Sequence, residues 1–322
     1  MCLNPKKAYL MNYKKDNNKN VILFNKPIYQ DWHKIKREIY IPCGICKECK
    51  MSHAFDWVVR CTAESLCYEN NYFVTLTYDN DKIPMTPYFG DDDSCFMIPT
   101  LRYKDVQDFF KRLRSKLDYN DNGNVRHFTC SEYGGITQRP HYHSILFGIN
   151  LTDLKYYKKT ENGDILYTSK LLSDCWQNGF VIVGEVTPES IAYVSRYSLK
   201  KQVDETYSSY HLSDFRESPK LYMSRRPGIG APYYEKHQIH NKWQKLYLNS
   251  DLKDIDYPKY FLSMLEINDE ELYIDYMNNK DKINEIKANA YYPDEKTESY
   301  RLEVQARKYK FDNGYLSIRN EV

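Results

Sequence analysis
The run Arg139-Pro140-His141-Tyr142-His143-Ser144-Ile145-Leu146 carries two imidazoles two positions apart. On an extended strand residues i and i+2 share a face, so His141 and His143 stand side by side and can hold one divalent ion. Glu132 ends the preceding apolar stretch, and Gly134-Gly135 and a loop reaching Pro140 separate it from the pair. An antiparallel return would bring its carboxylate beside the imidazoles. Two imidazoles and a carboxylate leave open positions for phosphate oxygens and suit Mg²⁺ or Mn²⁺ bound together with substrate. The competing role for Glu132 is an ion pair with Arg139.

A second group lies downstream. Tyr193, Tyr197, Lys200 and Lys201 recur at four- and three-residue spacing and so share one helical face, while Ile191, Val194 and Ser198 can pack on a sheet. A phenol, with a pKa of about 10, is a poor nucleophile unless a Lewis acid on the phosphate assists it. Attack by such a tyrosine on a phosphodiester leaves a 5′-phosphotyrosine and a free 3′-OH, and it conserves the bond energy for rejoining. Two tyrosines one turn apart would let the second attack a new junction while the first still holds DNA. Lys200 or Arg196 would stabilise the charge that develops.

The third group is Cys43-Gly44-Ile45-Cys46-Lys47-Glu48-Cys49. Three thiols at these gaps need a fourth ligand for a tetrahedral structural Zn²⁺, and Cys2 and His53 are the candidates. The alternative is a set of reduced, buried thiols. Cys61, Cys67, Cys95, Cys130 and Cys175 are scattered and read as core residues. An odd total of 9 Cys, with two Lys and no apolar run between Met1 and Leu10, predicts a cytosolic chain without a secretory leader. No uninterrupted apolar stretch is long enough for a bilayer, so no membrane association is expected.

These side chains need elements to place them. Residues 1–42 read as irregular and polar. A helix is predicted over 53–70, a strand over 72–78, a Pro- and Asp-bearing loop over 84–99 and a helix over 101–118. Strands follow over 125–133 and 141–148, then a helix around 165–177, a strand over 179–185 and a helix over 188–201, with Thr187 as cap and Pro188 in its first position. The order β-α-β-β-α-β-α is that of an α+β split βαβ fold, an antiparallel sheet with helices on one face. Tyr72, Tyr78 and Tyr142 on the strands read as packing residues. The expected division is a Cys-rich N-terminal segment and helix (1–70), a core (71–230), and a mainly helical C-terminal extension of unassigned role (231–322).

Formal charge is only +2. The basic excess falls in residues 1–230 while the tail is acidic on balance, so a polyanion surface belongs to the first two-thirds as a local patch. Lys111, Arg112, Arg114 and Lys116 form one candidate run, and Arg225-Arg226 another. No Gly is followed by Lys, which excludes a P-loop and an ATP-driven helicase of that class.

Phe73-Val74-Thr75-Leu76-Thr77-Tyr78, Arg139-Pro140-His141-Tyr142-His143 and Tyr193-Val194-Ser195-Arg196-Tyr197-Ser198-Leu199-Lys200-Lys201 stand in the order of the three motifs of HUH endonucleases. The chain resembles replication initiators of microviruses, especially the gokushovirus group, over roughly residues 40–235. The Cys-rich stretch and Met223-Ser224-Arg225-Arg226-Pro227-Gly228-Ile229-Gly230 resemble theirs as well. The resemblance implies nicking of a single-stranded phage origin, rolling-circle synthesis from the 3′-OH with a host helicase and polymerase, and rejoining of the circle, all in the bacterial cytoplasm. It also implies a tyrosine pair, here Tyr193 and Tyr197, with Arg196, Lys201, Arg225 and Arg226 as DNA contacts. Two other readings compete: a non-enzymatic zinc-containing DNA-binding protein, and a metal phosphoesterase that uses water as its nucleophile.

Overall fold
The computed structural model describes residues 2, 5–15, 20–89, 94–117, 125–135, 137–200, 216–248 and 255–291, with backbone alone at 20, 197–200, 281 and 284–291. Two compact units result, one of residues 1–236 with 250–252 and one of residues 237–249 with 253–322.

In the first unit the strands are β1 (Lys6–Lys14), β2 (Asn20–Leu23), β3 (Ile35–Ile41), β4 (Asn71–Thr77), β5 (Met85–Phe89), β6 (Cys95–Pro99), β7 (Arg126–Tyr133), β8 (Pro140–Phe147), β9 (Leu154–Lys159), β10 (Ile165–Ser169), β11 (Val181–Glu185) and β12 (Leu221–Met223). Its helices are α1 (Lys47–Ser65), α2 (Tyr103–Lys116), α3 (Lys170–Trp176), α4 (Pro188–Lys200) and α5 (Ala231–Lys236). Seven strands form one antiparallel sheet in the order β12-β7-β8-β4-β11-β10-β9. Its four central strands, with α2 and α3, make the split βαβ core that the element order predicts.

Alternation along the strands sends one set of side chains to each face. Val74, Leu76, Tyr142, Leu146, Val181 and Val183 meet Phe109 and Leu113 of α2 and Leu172 and Trp176 of α3. On the other face Phe73, Phe128, Cys130, Ile145 and Phe147 meet Cys61 of α1 and Ile191 and Val194 of α4. Helices therefore cover both faces rather than one, because β7 and β8 are apolar on both sides: nearly every residue of the two strands is buried.

Three local expectations differ from the structure. Residues 6–41 are not irregular: β1 pairs with β2 and β3 around Tyr9, Met11 and Val21. The stretch read as a loop over 84–99 contains the paired strands β5 and β6, with Pro87 tolerated in a two-stranded ribbon. The helix expected around 165–177 is shorter, since Ile165-Leu166-Tyr167-Thr168 pairs with β9 as a strand. Ser169 then caps α3 by accepting from Leu172 N at 3.2 Å.

The second unit contains α6 (Lys259–Asn268) and α7 (Glu270–Tyr291), with Tyr257, Phe261, Leu262, Leu265 and Tyr276 buried. Among the described residues, no helix is long and apolar enough to cross a membrane.

Candidate active site
The β7–β8 hairpin builds the site. Its loop closes tightly, with Gly134 N donating to Arg139 O at 2.9 Å and Gln138 N donating to Gly134 O at 3.0 Å. The resulting register sets Glu132 directly opposite His141, and Cys130 opposite His143. On the other flank β4 sets Thr75 opposite His143. Glu132, both histidines, Thr75 and Phe73 thus share one sheet face.

Glu132 Oε1 lies 2.5 Å from His141 Nε2 and 3.3 Å from His143 Nε2. The far nitrogen of each ring is also held. His141 Nδ1 is 3.0 Å from Arg139 O, and a carbonyl can only accept, so Nδ1 carries a hydrogen. His143 Nδ1 is 3.0 Å from Thr75 Oγ1, and Phe73 stacks on that ring at 5.5 Å. Such partners behind the Nδ1 atoms orient Nε2 as ligand atoms, and the three donor atoms lie within 4.8 Å of one another. The group fits a divalent ion with open coordination positions. Burial pushes the Glu132 carboxyl upward, but hydrogen bonds from His141 and His143 outweigh it and hold the group well below the usual carboxylate range. The competing ion pair does not form: Arg139 donates to Asn80 Oδ1 at 2.7 Å and to Tyr78 O.

Helix α4 delivers the phenol. Thr187 starts it by reciprocal capping, with Ser190 N donating to Thr187 Oγ1 and Thr187 N donating to Ser190 Oγ. Ile191 and Val194 are buried against the sheet and fix the helix rotation. Tyr193 then packs edge-on to His143, with ring centroids 5.1 Å apart, and to Phe73 at 6.4 Å. Its hydroxyl donates to Glu132 Oε1 at 3.2 Å and lies 3.4 Å from His143 Nε2. Arg196 is exposed on the same helix. Tyr197 and Lys200 are backbone positions of α4 whose side chains fall outside the described residues, as does the whole of Lys201. Tyr78 and Tyr142 are buried and hydrogen-bonded to each other at 3.2 Å, as packing residues should be, and burial drives both phenols well above their ordinary pKa.

The thiols assemble separately. Cys2, Cys43, Cys46 and Cys49 have all four sulfurs within 4.8 Å of one another. Cys43 Sγ lies 4.0 Å from Cys49 Sγ, and Cys46 Sγ lies 3.8 Å from Cys2 Sγ. Four thiolates bound tetrahedrally at zinc's usual distance would stand about 3.8 Å apart, so the set fits. Cys43 N donates to Cys2 Sγ and Cys46 N to Cys43 Sγ, and Gly44 takes the turn at φ +79°. Of the two candidates for the fourth position, the structure brings Cys2. His53 instead lies edge-on to Trp57.

Arg225 and Arg226 do not join the histidines. They follow β12, whose Met223 pairs with Phe128, and so belong to the opposite end of β7 from Glu132. Of the basic run on α2, Arg112 is spent on the carbonyls of Cys175 and Trp176, and Lys116 lies 3.6 Å from Asp174. Sequence reasoning missed Phe73 and Thr75 as supports of His143. Their signal was the period of two along β4, which becomes meaningful only once β4 is known to lie beside β8.

The replication-associated protein ORF2 family matches residues 71–202. The chain is 30% identical over 246 residues to the replication-associated protein ORF2 of Spiroplasma virus 4, covering 74% of this chain and 72% of that protein. It is 29% identical over 254 residues to the replication-associated protein VP4 of Bdellovibrio phage phiMH2K, covering 76% and 74%. Against the replication-associated protein ORF4 of Chlamydia phage 1 the identity is 33% over 177 residues, covering 53% and 41%. No solved structure matches the chain.

Proposed function
Since the chain belongs to the family of microvirus replication-associated proteins, we propose that it starts rolling-circle replication by nicking single-stranded origin DNA with Tyr193. One observation carries the reading: the Tyr193 hydroxyl ends 3.2 Å from the carboxylate that sits between two imidazole nitrogens. A surface tyrosine would have no reason to be aimed there.

Glu132, His141 and His143 are the residues that would hold Mg²⁺ or Mn²⁺, which when bound supplies a Lewis acid for a phosphate oxygen. Tyr193 attacks phosphorus in line; the P–O3′ bond breaks, the phenolic oxygen keeps the 5′ phosphate, and the 3′ oxygen leaves as a hydroxyl after taking a proton from water. The phenolic proton departs along the hydrogen bond to Glu132 Oε1. Held well below the usual carboxylate range, Glu132 passes that proton to solvent instead of storing it. One phosphodiester has replaced another, so a later 3′-OH can reverse the step and rejoin the strand. Tyr197, one turn further along α4, is the proposed second nucleophile. Arg196, Lys200 and Lys201 on and after that helix are the proposed partners of the phosphate charge. The four thiols are the proposed holders of a structural Zn²⁺ that ties the N-terminus to the start of α1. The proposed setting is the bacterial host cytoplasm, with host helicase and polymerase as partners.

The test uses a 5′-labelled single-stranded origin oligonucleotide, Mn²⁺ and the full chain, followed by a denaturing gel. We expect a covalent protein–DNA band that chelator abolishes. Cleavage without any covalent band would overturn the tyrosine mechanism in favour of attack by water.

A further inference from the structure
At the far end of β7 the first unit contains a cavity of about 220 Å³ lined by Arg114, Val125, Arg126, Ser224, Arg225 and Arg226. Four guanidinium groups line it and no carboxylate does. The volume is well above the roughly 10–15 Å³ that one water needs, so a hydrated oxyanion has room.

The pocket is held from behind by buried charge. Arg126 is 6% exposed and forms an ion pair through Nε with Glu64 of α1, which is fully buried. Arg126 also donates to Pro227 O at 2.9 Å and Gly228 O at 3.1 Å, while Glu64 Oε2 accepts from Gly230 N at 2.6 Å. Arg60 Nε donates to Ile229 O at 2.9 Å. The turn after Arg225-Arg226 is therefore clamped carbonyl by carbonyl, which fixes where those two exposed side chains begin. Arg114 is fixed by donating to Val125 O at 3.2 Å. Ser224 Oγ accepts from His127 N at 3.1 Å and keeps its own hydrogen to donate.

Glu64 balances Arg126, and among the described residues no carboxylate forms an ion pair with Arg114, Arg225 or Arg226. Three like charges around one cavity repel unless an anion joins them, and planar guanidinium forks match phosphate oxygens. The geometry points to this pocket as a second phosphate site, which grips the backbone of the bound DNA strand away from the nicking centre. Six residues of β7 separate Arg126 from Glu132, a chord of about 20 Å at the usual strand rise. At about 3.4 Å per stacked nucleotide, at least about six nucleotides must lie between the two sites. The inference rests on the DNA-nicking reading, since it takes the ligand from it.

The test measures binding of the full chain to labelled single-stranded DNA of about 5 and 25 nucleotides, with chelator present so that nothing is cleaved. For the longer oligonucleotide, Arg225→Gln/Arg226→Gln should flatten the plot of log affinity against log salt by about 1.4, the value for two lost phosphate contacts on a single strand. Between 50 and 200 mM salt the unaltered chain would then lose about sevenfold more affinity than the double variant. The deficit should be larger for the longer DNA than for the shorter, whatever the base sequence. An unchanged slope in a variant that melts like the parent overturns the pocket and leaves the nuclease reading standing. A parent chain that binds neither oligonucleotide overturns both.

Discussion

Replacing Glu64 with Gln keeps the side chain's volume and one acceptor oxygen but removes the charge opposite Arg126. The structure sets the size of the effect. Glu64 is 0% and Arg126 6% exposed, so the guanidinium would remain buried without a counter-charge. Removing one partner of such a pair costs about 3–5 kcal/mol, most of it the penalty of the stranded charge. For a unit of the size that spans residues 1–236, each kcal/mol moves the melting midpoint by about 2–4 °C. The midpoint of that unit should therefore fall by at least about 6 °C, followed by circular dichroism or differential scanning calorimetry. The double replacement Glu64→Leu/Arg126→Met should recover part of the loss, because no unpaired charge then remains. A Glu64→Gln chain melting within about 2 °C of the parent would refute the claim that this pair carries buried charge, and with it the account of how the 227–230 turn is held.

Other outcomes follow from the site itself. Tyr193→Phe should abolish the covalent DNA adduct while leaving the melting midpoint within about 2 °C, since only a hydroxyl is lost; a persisting adduct would move the nucleophile elsewhere. Thr75→Val removes the hydroxyl behind His143 Nδ1, and the Mn²⁺ concentration needed for half-maximal nicking should rise about 10- to 100-fold. A chain needing no more Mn²⁺ than the parent would show that Thr75 does not orient the ring. Purified protein should contain one zinc per chain by atomic emission; Cys2→Ser should reduce it sharply and His53→Ala should not, whereas the opposite pattern would reinstate the histidine as ligand.

How much of this was legible beforehand depended on distance along the chain. His141 and His143 could be read because a strand repeats every two residues. Glu132 could be read because a short loop leaves an antiparallel return little freedom in register. Tyr193 could be placed on a helix face, with Ile191 and Val194 opposite, from the 3.6-residue period. The 165–177 region misled because a short apolar run fits a strand and a helix equally well, and only the partner strand β9 decides.

The amino-acid order alone specified the donor types, their spacing and the split βαβ topology, since each of these is local or follows from the succession of elements. Folding decided the rest: that Cys2 completes the thiol set 41 residues before Cys43, that Glu64 meets Arg126, and that Arg225 and Arg226 gather around Arg114 instead of the imidazoles. Such meetings are set by which strands become neighbours and which helix faces they bury. Periodicity says which way a side chain points, but it carries no information about what will be waiting there.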